Sequence, residues 1–535
     1  MKKTSGIILT AATADDTICN VFGYLPTGLI PVNGKPIIFY ILKQFIENDI
    51  KDIYIGVDYK KEDVKDVLDT FFKDTIRVKF IITDRHKGVG NSLLTIFNHI
   101  KTDKVVINLA DTYIKNFNYQ DLSNQIVVSK DFTDGRRWAS IKKNNSNKIL
   151  SFFNKKKVSK EHFVIAGVYV LDNVSIFKNF KLLDDNIEIT HLLEFYASNY
   201  DDLYAHETIE WMDFGHIDQY YSSKKKLIQS REFNDLEYDD FFGTITKKSL
   251  NEEKFKNEIL WYNKIPNELK IISPRVLEYS IDSPMFLKSE FYSYPALSEI
   301  WLFSNLNDNI LKSIINKLLK IINLFKNIKK KVDYSNYKKI YIDKTLERVN
   351  NIKSQKILSL LSQDSIMINN QKYDNWHVIK SVILKKVELL YNEDDNCFIH
   401  GDLCLSNILY DLNSGVFKLI DPRGSWGSSE NGDVKYDVAK LRHSISGEYD
   451  YIIGDLFNIN YVNNNEINYS IFSKGRKNIK QYFDKQIDKE FSIDSIILIQ
   501  GLLFLSMIPL HKDSEERQLL MFCKAIESLN QSIKN

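Results

Sequence analysis

Along the first 230 residues, short apolar runs alternate with stretches whose apolar side chains recur at helical spacing. Gly6-Ile7-Ile8-Leu9-Thr10 reads as a strand, residues 37–48 as an amphipathic helix, and Asp52-Ile53-Tyr54-Ile55-Gly56-Val57 as a second strand. The pattern continues with a helix over 62–72, a strand at 78–82, a helix over 91–100 and a strand over 104–109. Continuous apolar strands separated by helices are what a mostly parallel sheet covered on both faces requires. Ligands in such sheets bind beyond the carboxyl ends of the strands, and Asp111 lies at one such end.

Beyond residue 230 the pattern changes. Residues 242–249 alternate like a strand and end in lysines, with Ile245 and Lys247 on one face and Lys248 on the other. A helix is predicted over 252–262 and a strand over 286–292, and from 311 to 332 and onward the spacing is helical. The Asn- and Lys-rich segments 458–465 and 474–480 read as loops or exposed helix ends. The uncharged run 496–510 contains Gln500, Gly501, Ser506 and Pro509, and reads as a buried helix rather than a bilayer span. The predicted break falls between Tyr221 and Arg231, giving domains of 1–230 and 231–535, the second with lobes of about 231–295 and 296–535.

The densest chemistry sits in Phe398-Ile399-His400-Gly401-Asp402-Leu403-Cys404-Leu405-Ser406-Asn407, followed by Leu419-Ile420-Asp421-Pro422-Arg423-Gly424. Asp402 is placed to take a proton from a substrate hydroxyl, while Asn407 and Asp421, the latter after an apolar strand over 416–420, can hold metal. Moving a phosphoryl group needs a positioned hydroxyl and Mg²⁺ to offset charge, and Mg²⁺ favours such hard oxygen ligands. A strand lysine on the nucleotide phosphates, braced by a helix glutamate, completes that logic; Lys247 and Glu258 are the candidates.

This second half resembles the aminoglycoside phosphotransferase and choline kinase family, whose catalytic loop reads H-G-D-x-x-x-x-N and whose metal motif reads I-D. The resemblance implies a bilobal protein-kinase-like α+β domain, ATP as phosphoryl donor, Mg²⁺ on Asn407 and Asp421, and catalysis by Asp402. It also implies that Asp437 braces the catalytic loop. On the same resemblance, the strand carrying Glu290, a candidate nucleotide contact, would lead into an interlobe hinge whose backbone holds the adenine. The acceptor stays open between a sugar, a polyol and an amino alcohol.

The first half resembles the sugar-phosphate nucleotidyltransferases over roughly residues 3–226. Leu25-Pro26-Thr27-Gly28-Leu29-Ile30-Pro31-Val32-Asn33-Gly34-Lys35-Pro36-Ile37 follows the substrate-entry block, and Leu109-Ala110-Asp111 and Trp211-Met212-Asp213-Phe214-Gly215 resemble the two metal-aspartate motifs. The family reads the base near Gly88, and Phe152-Phe153-Asn154-Lys155 matches its phosphate-binding block with the glutamate replaced. The implied domain is α/β and Rossmann-like (GT-A-like), with Asp111 and Asp213 on Mg²⁺, Gly88 and Lys155 on substrate, and CTP or another NTP as donor. Two departures stand out. The opening loop A-A-G-x-G-T-R is here Ala11-Ala12-Thr13-Ala14-Asp15-Asp16-Thr17, and Thr27 replaces a lysine. The domain therefore either transfers nucleotides with a different grip or retains the pocket for nucleotide-sugar binding or scaffolding.

Composition sets outer bounds. The 535 residues are 44% hydrophobic and 27% charged, with 72 basic and 70 acidic side chains, so bulk electrostatics gives no reason to expect nucleic acid as a partner. Four cysteines show no zinc spacing, and the first residues lack a signal-peptide pattern; a cytoplasmic protein is expected. The expected partners are a nucleotide and a small-molecule hydroxyl acceptor. Such a pairing of domains resembles enzymes that prepare activated precursors for bacterial surface polysaccharide.

Overall fold

The computed structural model describes residues 3–58, 60–72, 75–130, 135–156, 161–181, 186–227, 234–239, 241–427, 429 and 431–534. The expected boundary at 230/231 lies outside the described residues. The chain divides into two compact units, one over residues 1–228 and 303–305 and one over 229–302 and 306–535.

Unit 1 is a Rossmann-like α/β layer structure. Strand β1 (Thr4–Leu9) pairs in parallel with β2 (Asp52–Val57) and with β4 (Lys104–Asn108), and β2 pairs in parallel with β3 (Arg77–Ile82). The antiparallel strand β5 (Phe163–Leu171), buried along its whole length, continues the sheet beyond β4. Helix α1 (Ile37–Glu47) buries Ile37, Ile38, Ile41, Leu42 and Phe45, the stripe its 3.6-residue spacing predicts. Ile7, Leu9, Ile107, Val128 and Tyr169 meet Leu192, Leu193 and Tyr196 in the core.

The third helix differs from expectation, spanning Gly88–Phe97 rather than 91–100. Its glycines explain the shift. Gly88 has φ 82°, and a Cβ on Gly90 would lie 2.7 Å from the carbonyl oxygens of both Ile187 and Glu188. Gly90 N donates to Ile187 O at 2.7 Å, so the helix start is built against that segment.

Unit 2 opens with an antiparallel sheet of four strands in the order β6 (Asn234–Asp239), β7 (Thr244–Ser249), β9 (Phe286–Glu290), β8 (Val276–Ser280). Between β7 and β8 lies helix α2 (Glu252–Lys264), which buries Phe255, Glu258, Ile259, Trp261 and Tyr262. The remainder is mostly helical. The Asn-rich segment 458–465, expected as loop, is instead a hairpin of Phe457–Asn463 against Glu466–Ile471. Asparagine masks a period of two: Phe457, Ile459 and Tyr461 turn inward while Asn458, Asn460 and Val462 face solvent. The helical stretch Ile493–Leu510 is long and apolar enough to cross a membrane, yet 72% of it is buried within the protein. Its helix α4 (Ile493–Met507) packs on α3 (Val434–Ile445) and α5 (Glu515–Lys534), so its apolar surface forms core.

Candidate functional site

In unit 2 the chemistry-bearing residues converge from strand β7, helices α2 and α3, the loop 399–407 and the loop that carries Asp421. Two short pairings, Asn396–Phe398 with Asn431–Asp433 and Ile408–Asp411 with Val416–Leu419, hold the loop 399–407 beside Asp421. Ile420 N donates to Asn407 O at 2.9 Å, which locks the two loops together. Asp437 accepts from the backbone N–H groups of His400 at 2.7 Å and Gly401 at 2.9 Å. That carboxylate, fully buried, fixes the turn in which Gly401 takes φ 77°. His400 is buried and pushed down to about 4 by its burial, so its ring is neutral and its Nε2 bonds Ile420 O at 3.1 Å.

Lys247, on β7, is the lysine brought inward. Its Nζ lies 2.8 and 2.9 Å from the two Glu258 carboxylate oxygens and 2.7 Å from Asp421 Oδ1. Lys248 instead pairs with exposed Glu237 at 2.6 Å. Burial pushes the Glu258 carboxyl up to about 7. Burial also works against the Lys247 charge, but Asp421 and Glu258 outweigh it and hold the ammonium above its ordinary value. Asp421 sits in a left-handed conformation (φ 55°), and Gly424 follows it at close quarters. A Cβ on Gly424 would lie 2.0 Å from Asn257 O, so only glycine lets this loop touch the helix that carries Glu258.

Asp402 faces an opening at 38% side-chain exposure, with Lys440 Nζ 2.9 Å from Oδ1. Asn407 Nδ2 donates to Asp402 O at 2.9 Å and to Oδ2 at 3.2 Å. Burial opposes the Asp402 charge, yet the Lys440 ammonium holds the carboxyl well below the usual range. Glu290, by contrast, is occupied locally, accepting from Tyr292 OH at 2.9 Å and Arg275 N at 3.3 Å. Lys440 escaped the sequence reading although a signal existed: it follows Asp437 by three residues and so shares its helix face. Among the described residues no cluster of three or more His, Cys, Asp or Glu side chains is preassembled for a metal. The oxygen donors of Asp421 and Asn407 nonetheless suit Mg²⁺, which takes one or two carboxylates and completes its shell with phosphate and water.

In unit 1 a second carboxylate pair converges. Strand Thr112–Ile114 pairs with Trp211–Asp213 so that Thr112 faces Asp213. Trp211 Nε1 donates to Thr112 Oγ1 at 2.8 Å, and Phe214 N donates to Asp111 O at 2.8 Å. A Cβ on Gly215 would lie 2.8 Å from Asp111 Oδ2 and 3.3 Å from Asp213 Oδ1, so both carboxylates aim at one small volume. Burial, then the Asp213 charge, pushes Asp111 up to about 7. Asp213 Oδ2 accepts from Trp138 Nε1 at 3.0 Å and meets His216 Nδ1 at 2.8 Å, which raises the imidazole above its ordinary value. This donor set fits a divalent cation.

Around that pair the structure distributes the remaining sequence candidates unevenly. Gly88 packs on residues 186–187, where a Cβ would meet Asn186 Oδ1 at 2.4 Å. Lys155 stands exposed in a left-handed turn (φ 47°), with no hydrogen bond or ion pair to Asp111 or Asp213. Asp15 caps the short helix Asp16–Phe22, accepting from Thr17 N at 2.9 Å, and Thr17's two hydrogen bonds lower its carboxyl against the effect of burial. The opening-loop aspartate is thus spent on a cap, with His216 and Arg137 close enough to add to the lowering. Trp138, His216 and Arg137, which pairs with Asp218 at 2.6 Å, were not singled out from sequence; His216 alone had a local signal, three residues beyond Asp213.

Residues 24–230 match the sequence model of the nucleotidyl transferase family. The first half of the chain contains a nucleotidyltransferase domain. Among curated relatives, the "Bifunctional protein GlmU" of Methanococcus maripaludis is 32% identical over 151 residues, which is 28% of this chain and 35% of that protein. The chain thus spans about a third of the length of the GlmU relatives it matches. The D-glycero-alpha-D-manno-heptose 1-phosphate guanylyltransferase of Campylobacter jejuni is 26% identical over 207 residues, covering 37% of this chain and 88% of that protein. Among solved structures, HddC from Yersinia pseudotuberculosis complexed with GMP-PN aligns over 43% of this chain and all of its own (100%), at 20% identity and a TM-score of 0.35. The nucleotidyltransferase domain therefore has homologues that act on sugar phosphates, and its two aspartates occupy its best-defined carboxylate site.

Proposed function

We propose that the protein is bifunctional: unit 2 is a protein-kinase-like domain that phosphorylates a hydroxyl of a small molecule, and unit 1 joins a sugar phosphate or similar phosphomonoester to a nucleotide. The product would be an activated, NDP- or CDP-linked precursor for bacterial surface polysaccharide, made in the cytoplasm. The observation that carries the kinase half is Lys247 reaching Glu258 and Asp421 together while Asn407 ties Asp421's loop to Asp402.

In the kinase step Asp402 orients the acceptor hydroxyl and receives its proton. The hydroxyl oxygen bonds to the γ-phosphorus as the bond to the β–γ bridging oxygen breaks, and ADP leaves. A carboxylate held so far below its ordinary range favours alignment over early proton removal, so the proton moves late. Lys247, steadied by Glu258, contacts the nucleotide phosphates. Asp421 and Asn407 would hold Mg²⁺, which would supply charge neutralisation on the phosphates. In unit 1 Asp111 and Asp213 would hold Mg²⁺ for attack of a phosphate oxygen on the α-phosphorus of the NTP, releasing pyrophosphate.

A second reading keeps only the kinase active, with unit 1 binding a nucleotide-sugar. It is favoured by Asp15, whose carboxylate caps a helix in the loop where relatives of this pattern carry glycine. A Mg²⁺-dependent thermal-shift panel of ATP, GTP, CTP and UTP separates the two readings. Selective binding raises stability by about 2.7 kcal/mol at a hundredfold excess over Kd. The bifunctional reading expects one nucleotide's shift to vanish with Asp421→Ala and another's with Asp111→Ala. Shifts that all depend on Asp421 leave unit 1 without a nucleotide triphosphate site, and shifts indifferent to Asp421 sink the kinase.

A further inference from the structure

Beside Asp402, unit 2 carries more positive charge than its own carboxylates answer. Lys440 is answered by Asp402 at 2.9 Å. Lys344, Arg348 and Arg423 are not: among the described residues no ion pair joins any of them to a carboxylate. Two of the three gather on one phenol. Lys344 Nζ lies 5.9 Å from the Tyr436 ring centroid, and Arg423 Nη1 lies 3.2 Å from the Tyr436 hydroxyl. Arg348 follows Lys344 by one turn of helix Lys344–Asn350, its Nη1 held by Ser506 O at 3.0 Å. Tyr436 precedes Lys440 by one turn on α3. The Arg423 stem packs against Gly401, where a Cβ would come within 2.9 Å of Arg423 Cβ, so the cluster borders the Asp402 loop directly.

The field of this cluster is visible in its members. Burial would raise the Tyr436 phenol, but Lys344, Arg423 and Lys440 pull it down to about 8. Burial takes Lys344 down to about 8, and Arg423, Arg348 and Lys440 add repulsion. Gathering half-buried cations without counter-charges is costly, and such an arrangement is expected where an anion completes it. An acceptor site for a quaternary ammonium or a polyamine needs the reverse, carboxylates or bare aromatic faces.

We propose that the hydroxyl acceptor of unit 2 carries an anionic group, a carboxylate or a phosphate, that is held by Lys344, Arg423 and Tyr436 while its hydroxyl faces Asp402. This rests on the kinase reading. On that reading Lys247, which reaches Asp421 at 2.7 Å, would serve the nucleotide's own phosphates, which leaves the cluster for the second substrate.

The test fills the nucleotide site first. With Mg²⁺ and the non-hydrolysable ATP analogue AMP-PNP saturating, thermal shift is titrated with inorganic phosphate, malonate, choline and ethanolamine on wild type, Lys344→Gln and Lys344→Arg. The expected result is a saturable rise with phosphate or malonate, weakened about tenfold or more in Lys344→Gln and largely kept in Lys344→Arg. A stronger response to phosphate identifies a phosphorylated acceptor, and a stronger response to malonate a hydroxy acid. Choline or ethanolamine acting in place of the anions overturns the inference, as does an anion response equal in wild type and Lys344→Gln, or no anion response at all. Failure of AMP-PNP itself to shift wild type removes the kinase reading and the inference with it. Should Lys344→Gln not fold, Arg348→Gln reports on the same field.

Discussion

The two carboxylate sites solve opposite electrostatic problems. In unit 2 three carboxylates of the site are matched by lysines: Glu258 and Asp421 share Lys247, and Asp402 has Lys440. In unit 1 Asp111 and Asp213 face each other, and Asp213 is met by a histidine, an indole and the Gly215 N–H rather than by a lysine or arginine. The Asp402–Lys440 pair holds its charges without a metal ion; burial and the Asp213 charge raise Asp111 to about 7, where a divalent cation would displace its proton. The Asp402–Lys440 pair should therefore persist over a wide pH range, whereas the Asp111–Asp213 pair should respond to both pH and Mg²⁺.

The largest effect should follow from breaking the matched pair in unit 2. Asp402→Asn leaves Lys440 without its carboxylate and removes the group proposed to align the hydroxyl. ATP-dependent phosphorylation is expected to fall about 10²–10⁴-fold, while the Mg²⁺·ATP thermal shift persists. Retention of full activity would falsify the role given to Asp402.

Next comes the support beneath that loop. Asp437→Ala strips two buried N–H groups, those of His400 and Gly401, of their acceptor. Each unsatisfied donor costs about 1–3 kcal/mol, so a loss of about 2–6 kcal/mol is expected in urea unfolding of the second unit. A midpoint that does not move would mean that water replaces the carboxylate and that the turn holds itself.

These two sites were not equally legible in the chain. The 402–407 loop and Asp421 could be read because their spacing is local, and the choice between Lys247 and Lys248 followed from strand alternation. Lys344 and Arg348 could not, since they come from a helix some 60 residues before Asp402 and nothing in their own neighbourhood marks them. In unit 1 the parallel strands were legible within two residues of their ends, being continuous apolar runs between helices. The helix beginning at Gly88 was not, because its glycines serve an approach to residues 186–188 that is fixed only by tertiary structure. The hairpin over 457–471 hid behind composition, its period of two outvoted by asparagine.

The facing pair in unit 1 gives a third, smaller effect with a definite sign. Asp111 is raised from the ordinary carboxylate value to about 7, so between those limits the folded state binds the extra proton. Without divalent cation, its contribution to stability is present at low pH and lost as pH rises through about 7. Asp111→Asn should thus match wild type near pH 4 and exceed it progressively toward pH 8, by a few degrees in Tm at roughly 2–4 °C per kcal/mol. The same variant should lose the Mg²⁺-induced shift. A Tm difference that is flat with pH would mean that burial and the Asp213 charge do not raise Asp111 in solution, and the contrast between the two sites would disappear.

The smallest effect concerns Lys155, the one phosphate-grip candidate that stands apart from the carboxylate pair. A lysine at φ 47° is in the left-handed region that favours glycine, so Lys155→Gly relieves backbone strain while freeing the unfolded chain. The two terms oppose each other, and stability should stay within about 0.5 kcal/mol of wild type. Folding is therefore silent here, and the variant isolates binding. If Lys155 swings onto the phosphate of the incoming sugar phosphate, its loss should raise the KM for that substrate about fivefold with kcat and the KM for NTP little changed, as expected for a single point-charge contact. An unchanged sugar-phosphate KM would make Lys155 a solvated turn residue and leave phosphate binding in unit 1 to Arg137, the cation beside Asp15.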